Sequence, residues 1–299
     1  MWQCGSFELD TQKPLIMGIL NITPDSFSDG GRYFDGKNVN DISGANSKHL
    51  NTAYAHARRM IKEGAHIIDI GGESTRPGSE ELSVAEELAR VSSLVRILAD
   101  EGCVVSIDTR HATVAAACVE QGASIINDVT GFSDLDMIDV LRQSLAGCVI
   151  SHMQGEPKTM QEAPYYDDVV EEVEKYLLFR ACLLNDYGVA RKRIAIDPGP
   201  GFGKNFEHNL ALLRATGRLA SHGYPVMASW SRKRFIGELT ERPTGELTGL
   251  TAPEERVVGS VTVALYAAHQ GARIFRVHDV AATAEALAVF NHIHENNGA

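Results

Sequence analysis

Apolar residues gather along the chain into short runs rich in Ile and Val, separated by longer stretches with helical periodicity. The runs are LIMGILN (15–21), HIIDIGG (66–72), CVVSIDT (103–109), SIINDV (124–129), CVISHM (148–153), RIAIDPG (193–199), YPVMASWS (224–231) and RIFRVHDV (273–280), eight in all. Strands this apolar are buried on both faces, and such strands alternating with helices require a parallel sheet. Helix boundaries are written between them. Ser83 with Glu86 makes a capping-box pattern ahead of a stretch that Gly102 ends. Asp167 and Asp168 open an acidic first turn leading to Gly188, and Pro253 suits the first turn of a helix running toward Gly271. Eight units predict closure into an α/β (β/α)8 TIM barrel, one domain over 1–299, rather than an open doubly wound sheet. Two segments, 24–47 and 237–252, are dominated by Gly, Ser, Thr, Asn, Asp and Pro; loops of that length in a compact domain are functional or mobile.

Composition narrows the function more than the fold. With 44% hydrophobic and 22% charged residues the chain is an ordinary globular protein. Its 28 Lys and Arg against 39 Asp and Glu give a formal charge of −11, which argues against a nucleic-acid partner. An anionic substrate must then be held by a local basic cluster. The five cysteines never approach a C-x-x-C spacing, so neither zinc nor a redox pair is indicated. No apolar run reaches signal-peptide or membrane-span length, and a cytoplasmic protein without membrane association is expected.

In a barrel of this kind the active site is built at the carboxyl ends of the strands. Those ends are polar in every run: Asn21, Asp69, Asp108, Asn127 with Asp128, His152, Asp197, Ser231 with Lys233, and Arg276 with His278. One such residue is ordinary turn chemistry, but the whole series converges on one rim. Asp108, Asn127 and Asp197 suit a flat heterocycle with several N–H donors, since a carboxylate accepts two parallel N–H bonds from a ring edge. Arg276 and His278, two apart on one strand, point to the same side and can clamp a phosphate group. The segment DPGPGFGK (197–204) is not a Walker loop: Pro198 stands where a Gly is needed, and Asn205 where Ser or Thr is. Its glycines instead allow backbone to pass close to a ligand beside Asp197. His292 and His294 are expected on a solvated last helix.

Taken in order, GILNITPDSFSDGG (18–31), IIDIGGESTRPG (67–78), SIDTR (106–110), IINDVTG (125–131), SHMQG (151–155), IDPGPGFGK (196–204), SRKRFIG (231–237) and RVHDV (276–280) resemble the dihydropteroate synthase family. The resemblance implies a (β/α)8 barrel, usually a homodimer and a sulfonamide target. Such an enzyme is a transferase of folate biosynthesis, joining 6-hydroxymethyl-7,8-dihydropterin diphosphate to 4-aminobenzoate. It implies that Asp108, Asn127, Asp197 and Lys233 hold the pterin, with Met153 and Phe202 lining its pocket. Arg276 and His278 would take the diphosphate, and Asn21 a Mg2+ that the diphosphate carries. Asp29, with Phe27, would order over the site from the first loop. Thr75, Arg76 and Pro77 would lie near the aminobenzoate in a second mobile loop, about 73–80. Arg276, His278, Lys233, Asp108, Asp29 and Arg76 are the residues it implies for catalysis.

Three features depart from the family pattern. GKNVNDISGANSK lengthens the first loop after Asp35, Trp230 stands where a small residue is expected, and Arg234 follows Lys233 as a candidate partner for the aminobenzoate carboxylate. Two other readings remain at this point: a non-catalytic pterin-binding paralogue, and a methyltetrahydrofolate-binding methyltransferase, which has no use for a basic pair.

Overall fold

A computed structural model describes residues 1–22, 47–73, 82–155, 159–240 and 250–295. Eight parallel strands form its sheet: β3 (Leu15–Asn21), β4 (Ile67–Gly71), β5 (Val104–Asp108), β6 (Ile125–Asp128), β7 (Gly147–Ser151), β8 (Ile194–Asp197), β9 (Met227–Ala228) and β10 (Ile274–Val277). Each sequence run therefore contains its strand, except that β7 begins one residue before its run, at Gly147. The strands follow one another from β3 to β8, while β10 pairs with both β3 and β9. A parallel bridge from Ile196 to Val226 brings β8 against the start of β9 and closes the circle. Only two residues of YPVMASWS pair as a full strand, so this seam is the barrel's narrowest.

Helices cover the outside as the sequence signals require. In α2 (Val84–Asp100) the Ser83 hydroxyl accepts the Glu86 N–H and the Glu86 carboxylate accepts the Ser83 N–H, satisfying two otherwise orphaned donors. In α5 (Val169–Asp186) the Asp168 carboxylate accepts from Val170 and Glu171 at 3.0 Å each. Pro253 begins a 3-10 turn that runs into α9 (Val257–His269), and α10 (Val280–Glu295) carries His292 and His294 on its exposed face. Between β9 and α9, α8 (Arg234–Leu239) takes in residues expected to be loop. Gly237 makes this possible, because an added Cβ would lie 2.9 Å from Arg256 Nε. Segments 23–46, 74–81 and 241–249 are outside the described residues. Among the described residues no helix is long and apolar enough to cross a membrane.

The bottom of the barrel is sealed by an element that the hydrophobic pattern does not announce. Two three-residue strands, β1 (Trp2–Cys4) and β2 (Phe7–Leu9), form an antiparallel hairpin. Its Trp2 and Cys4 pack with Leu15, Met17, Ile67, Ile125, Val149, Ala195, Met227 and Ile274 in the barrel interior. Trp2 is fully buried, and its indole N–H donates to the Arg193 carbonyl at 2.9 Å. Trp2→Ala should cost about 3–5 kcal/mol, because it both opens a cavity and orphans that carbonyl. A chemical-denaturation midpoint measured against the wild type checks this.

The interior then changes character in one step. Side chains alternate along a strand, so residues two positions beyond the apolar layer face the same interior. They are Asp69, Ser106, Asn127, Ser151, Asp197, Ser229 and Arg276, with Ile19 on β3 as the one apolar member. All but Arg276 are buried, and a polar chamber rests directly on the apolar plug.

Candidate active site

Strand register sets the chamber's floor and rim. Asn21, Gly71, Asp108 and Asn127 stand side by side as Cα partners across β3, β4, β5 and β6. Gly71 leaves room between its neighbours: a Cβ there would meet Asn21 Oδ1 at 3.2 Å and Asp108 Oδ2 at 3.8 Å. An amide oxygen and a carboxylate thus share one corner.

Arg276 reaches across the barrel to that corner. Its Nε donates to Asp69 Oδ2 at 2.6 Å and its Nη2 to Asp108 Oδ2 at 2.5 Å. Asn127 Nδ2 donates to the same Asp69 oxygen at 3.3 Å. Burial disfavours the charge on Arg276, but Asp69 and Asp108 outweigh it and hold the guanidinium above its ordinary pKa. A guanidinium has five N–H groups, and two of them are committed here, so the others can meet an anion at the rim. Asp108 itself is pushed up to about 7 by burial, which its pairing with Arg276 only partly offsets.

Across the chamber, Asp197 accepts from the Gly199 N–H and from the Ser229 hydroxyl, each at 2.8 Å. Lys233 Nζ donates to the Pro200 carbonyl and lies 4.3 Å from the centre of the Phe202 ring. Burial lowers its ammonium to about 8, against the pull of Asp197. The glycines of DPGPGFGK have a concrete use. Gly199 adopts φ +64°, and a Cβ there would lie 2.0 Å from the His152 carbonyl oxygen. The buried Lys204 holds the loop by donating to the carbonyls of His152, Gly199 and Phe202 at 2.9–3.1 Å, and it lies 2.9 Å from His152 Nδ1. His152 is pushed down to about 3 by burial and by Lys204, which leaves a neutral ring as the acceptor.

The third wall is basic. The Ser231 hydroxyl accepts the His278 backbone N–H at 3.1 Å and sits 3.1 Å from His278 Nδ1. The two contacts together hold the His278 ring in place through Nδ1 and leave Nε2 as its other polar edge. Arg232, at φ +56°, makes two bonds to Asp279 at 2.9 and 2.5 Å, which fixes the turn presenting Lys233.

A chamber offering carboxylates and an amide on one side, and Lys, Arg and His on the other, fits a flat donor-rich ring joined to an anion. The pterin-binding enzyme family is matched over residues 17–278. A dihydropteroate synthase of Neisseria meningitidis serogroup B is 46% identical over 295 residues, covering 97% of this chain and 96% of that protein. The chain belongs to the dihydropteroate synthase family of pterin-binding enzymes. Solved dihydropteroate synthases share its fold. That of Burkholderia cenocepacia complexed with 7,8-dihydropteroate has a TM-score of 0.84 at 42% identity, covering 99% of this chain and 97% of that one. That of Xanthomonas albilineans with 4-aminobenzoic acid has a TM-score of 0.83 at 41% identity, covering 96% and 95%.

Within this dihydropteroate synthase fold, Asn21, Asp108, Asn127, Asp197, Lys233, Arg276 and His278 are supplied by five strand ends and the α8 entry, while Met153 and Phe202 follow β7 and β8. Asp29, Thr75, Arg76 and Pro77 lie outside the described residues. Trp230 does not narrow the chamber: it is buried among the apolar residues between sheet and helices. Arg234 is turned to solvent, 79% exposed, and pairs with Glu238 one helical turn on at 2.8 Å. Sequence reading gave no role to Asp69, Ser229, Ser231 or Lys204, which organise the groups around them.

Proposed function

We propose that this chain condenses 6-hydroxymethyl-7,8-dihydropterin diphosphate with 4-aminobenzoate to 7,8-dihydropteroate and diphosphate. The polar chamber carries the reading, with Asp108, Asn127 and Asp197 facing a basic wall of Lys233, Arg276 and His278. Asp197 and Asn127 would hold the pterin's amine and ring N–H groups, Lys233 its carbonyl side, and Met153 and Phe202 its faces. Arg276, already aimed by Asp69 and Asp108, and His278, held through Nδ1 by Ser231, would receive the diphosphate.

The reaction is a displacement at a methylene carbon, in which the C–O bond to diphosphate breaks and a C–N bond to the arylamine forms. An electron-rich dihydropterin stabilises positive charge at that carbon, so bond loss can run ahead of attack. Catalysis then consists of stabilising the departing diphosphate and orienting the amine. An arylamine is neutral at pH 7, so no strong base is needed. Mg2+ would be held by the Asn21 amide oxygen together with the substrate's phosphates, and would supply charge neutralisation on the leaving group. Asp29 and Phe27 from the first loop would shield the site from water, and Thr75, Arg76 and Pro77 would flank the aminobenzoate.

A homodimer is the assembly we infer. Val258 and Tyr266 on α9, and Val289 and Ile293 on α10, are exposed apolar residues on two helices that pack together. A cytoplasmic setting completes the proposal.

Diphosphate release should require 4-aminobenzoate and Mg2+ together; release without the amine would sink the reading. The pH profile follows from two opposed shifts. Below about 7 Asp108 takes up a proton and loses acceptor capacity, and above about 8 Lys233 loses its charge. The kcat/KM for the pterin should therefore peak between those values, and Lys233→Arg should carry the alkaline limb upward, because a guanidinium keeps its proton throughout. For Arg234, the expected result of Arg234→Ala is a raised KM for 4-aminobenzoate with the pterin KM unchanged; an unaltered aminobenzoate KM would assign Arg234 to its surface pair with Glu238 alone.

A further inference from the structure

Outside the chamber, one buried polar group has no visible reason to be there. Glu87, in the first turn of α2, is fully buried, and among the described residues neither carboxylate oxygen has a hydrogen-bond partner of ordinary geometry. The Thr109 hydroxyl is near enough only to ease that burial. The close packing is built in: Gly72 lets the end of β4 approach α2 so tightly that an added Cβ would lie 2.9 Å from Glu87 Cγ. Opposite stands His111, whose Nε2 is also buried with no hydrogen-bond partner among the described residues, 3.9 Å from Glu87 Oε2 and 4.0 Å from Glu73 Oε2. An isolated buried carboxylate facing an unbonded ring nitrogen is costly unless something sits between them.

We propose that Glu73, Glu87 and His111 form a cation site of their own, selective for a borderline divalent metal ion of the Zn2+ class. Their ligand atoms all lie within 4.8 Å of one another. Two carboxylates and one imidazole are a donor set for Zn2+ or its first-row neighbours rather than for the all-oxygen preference of Mg2+. Metal–ligand bonds of about 2.0–2.2 Å at tetrahedral angles put donors roughly 3.4 Å apart, so His111 need move by only about half an ångström toward each carboxylate, and the two carboxylates by at most about 1.4 Å toward each other. Arg110 does not compete for the position. It donates to Glu73 at 3.0 and 3.2 Å and so orients that carboxylate from outside, as partners of metal ligands commonly do. The Leu82 N–H adds a further bond to Glu73 at 3.1 Å. A cation there would tie Glu73, just after β4, to His111, just after β5, and both to the first turn of α2. It does not depend on the activity proposed above.

The test uses full-length protein stripped of metal with a chelator and then titrated with Zn2+ alone, without pterin or diphosphate. One Zn2+ per chain should bind and raise the melting temperature, and Co2+ in its place should give the intense visible absorption of a four- or five-coordinate ion. Glu87→Gln and His111→Ala should each weaken Zn2+ binding at least roughly tenfold, whereas His294→Ala, in the His269–His294 pair at the barrel base, should leave it unchanged. Two results would overturn the proposal: no saturable Zn2+ uptake, which would mean that Glu87 is buried with a proton, or uptake unaffected by Glu87→Gln and His111→Ala. The Co2+ spectrum is read on the wild type, so it decides even if a variant fails to fold.

Discussion

Arg276→Ala should lower kcat/KM by roughly a thousandfold, about 4 kcal/mol of lost transition-state stabilisation, as expected when a charged donor to a leaving group is removed. The same change should also destabilise the fold, and the two effects separate. Asp69 is fully buried and takes Arg276 Nε at 2.6 Å; without that guanidinium one carboxylate remains with only a weak bond from Asn127. Breaking one partner out of a buried pair costs about 3–5 kcal/mol. Adding Asp69→Asn to Arg276→Ala removes the stranded charge and should recover much of the stability, measured by denaturation, while the rate stays lost. If the double variant regained activity along with stability, Arg276 would be a structural residue and not a diphosphate ligand.

The second large effect belongs to Asp197. Both its oxygens are already anchored, one by the Gly199 N–H and one by Ser229, so the carboxylate is held at a single orientation before any ligand arrives. Sites of this kind discriminate strongly, because a missing acceptor strands the ligand's N–H groups in a dry pocket. Asp197→Asn keeps the shape but turns an acceptor into a donor against the pterin's own donors. Pterin diphosphate affinity should fall roughly a thousandfold, with the KM for 4-aminobenzoate little changed. Calorimetric titration with the pterin separates this from a folding defect, which would depress both substrates together.

Much of this could be read from the residues themselves, for a physical reason. Strands buried on both faces show as unbroken apolar runs, and the point where a run turns polar is the point where the barrel opens. Asn21, Asp108, Asn127, Asp197, Arg276 and His278 were legible as strand-end residues on that basis, and the long ordered resemblance supplied the ligand proposed for them. Asp69 was visible as a polar residue but not as the partner of Arg276, because nothing local couples positions 207 apart; only barrel closure brings them together. Ser231 was likewise visible at a strand end but not as the partner of His278, Ser229 was hidden by being small, and Lys204 by standing in a sequence that invites a phosphate reading. The hairpin of β1 and β2 is too short for any periodicity to register, and its role depends on where Trp2 lands. Trp230 shows another limit: its position in the chain left open whether it narrows the pocket or packs outward, and alternation after β9 decides for outward, between sheet and helices.

The most direct measurement is mass spectrometry of a reaction containing the purified chain, 6-hydroxymethyl-7,8-dihydropterin diphosphate, 4-aminobenzoate and Mg2+. Formation of 7,8-dihydropteroate in step with an equal amount of diphosphate, abolished in Arg276→Ala and in Asp197→Asn, is the expected result. Pterin bound to the wild-type chain with no dihydropteroate formed would contradict it.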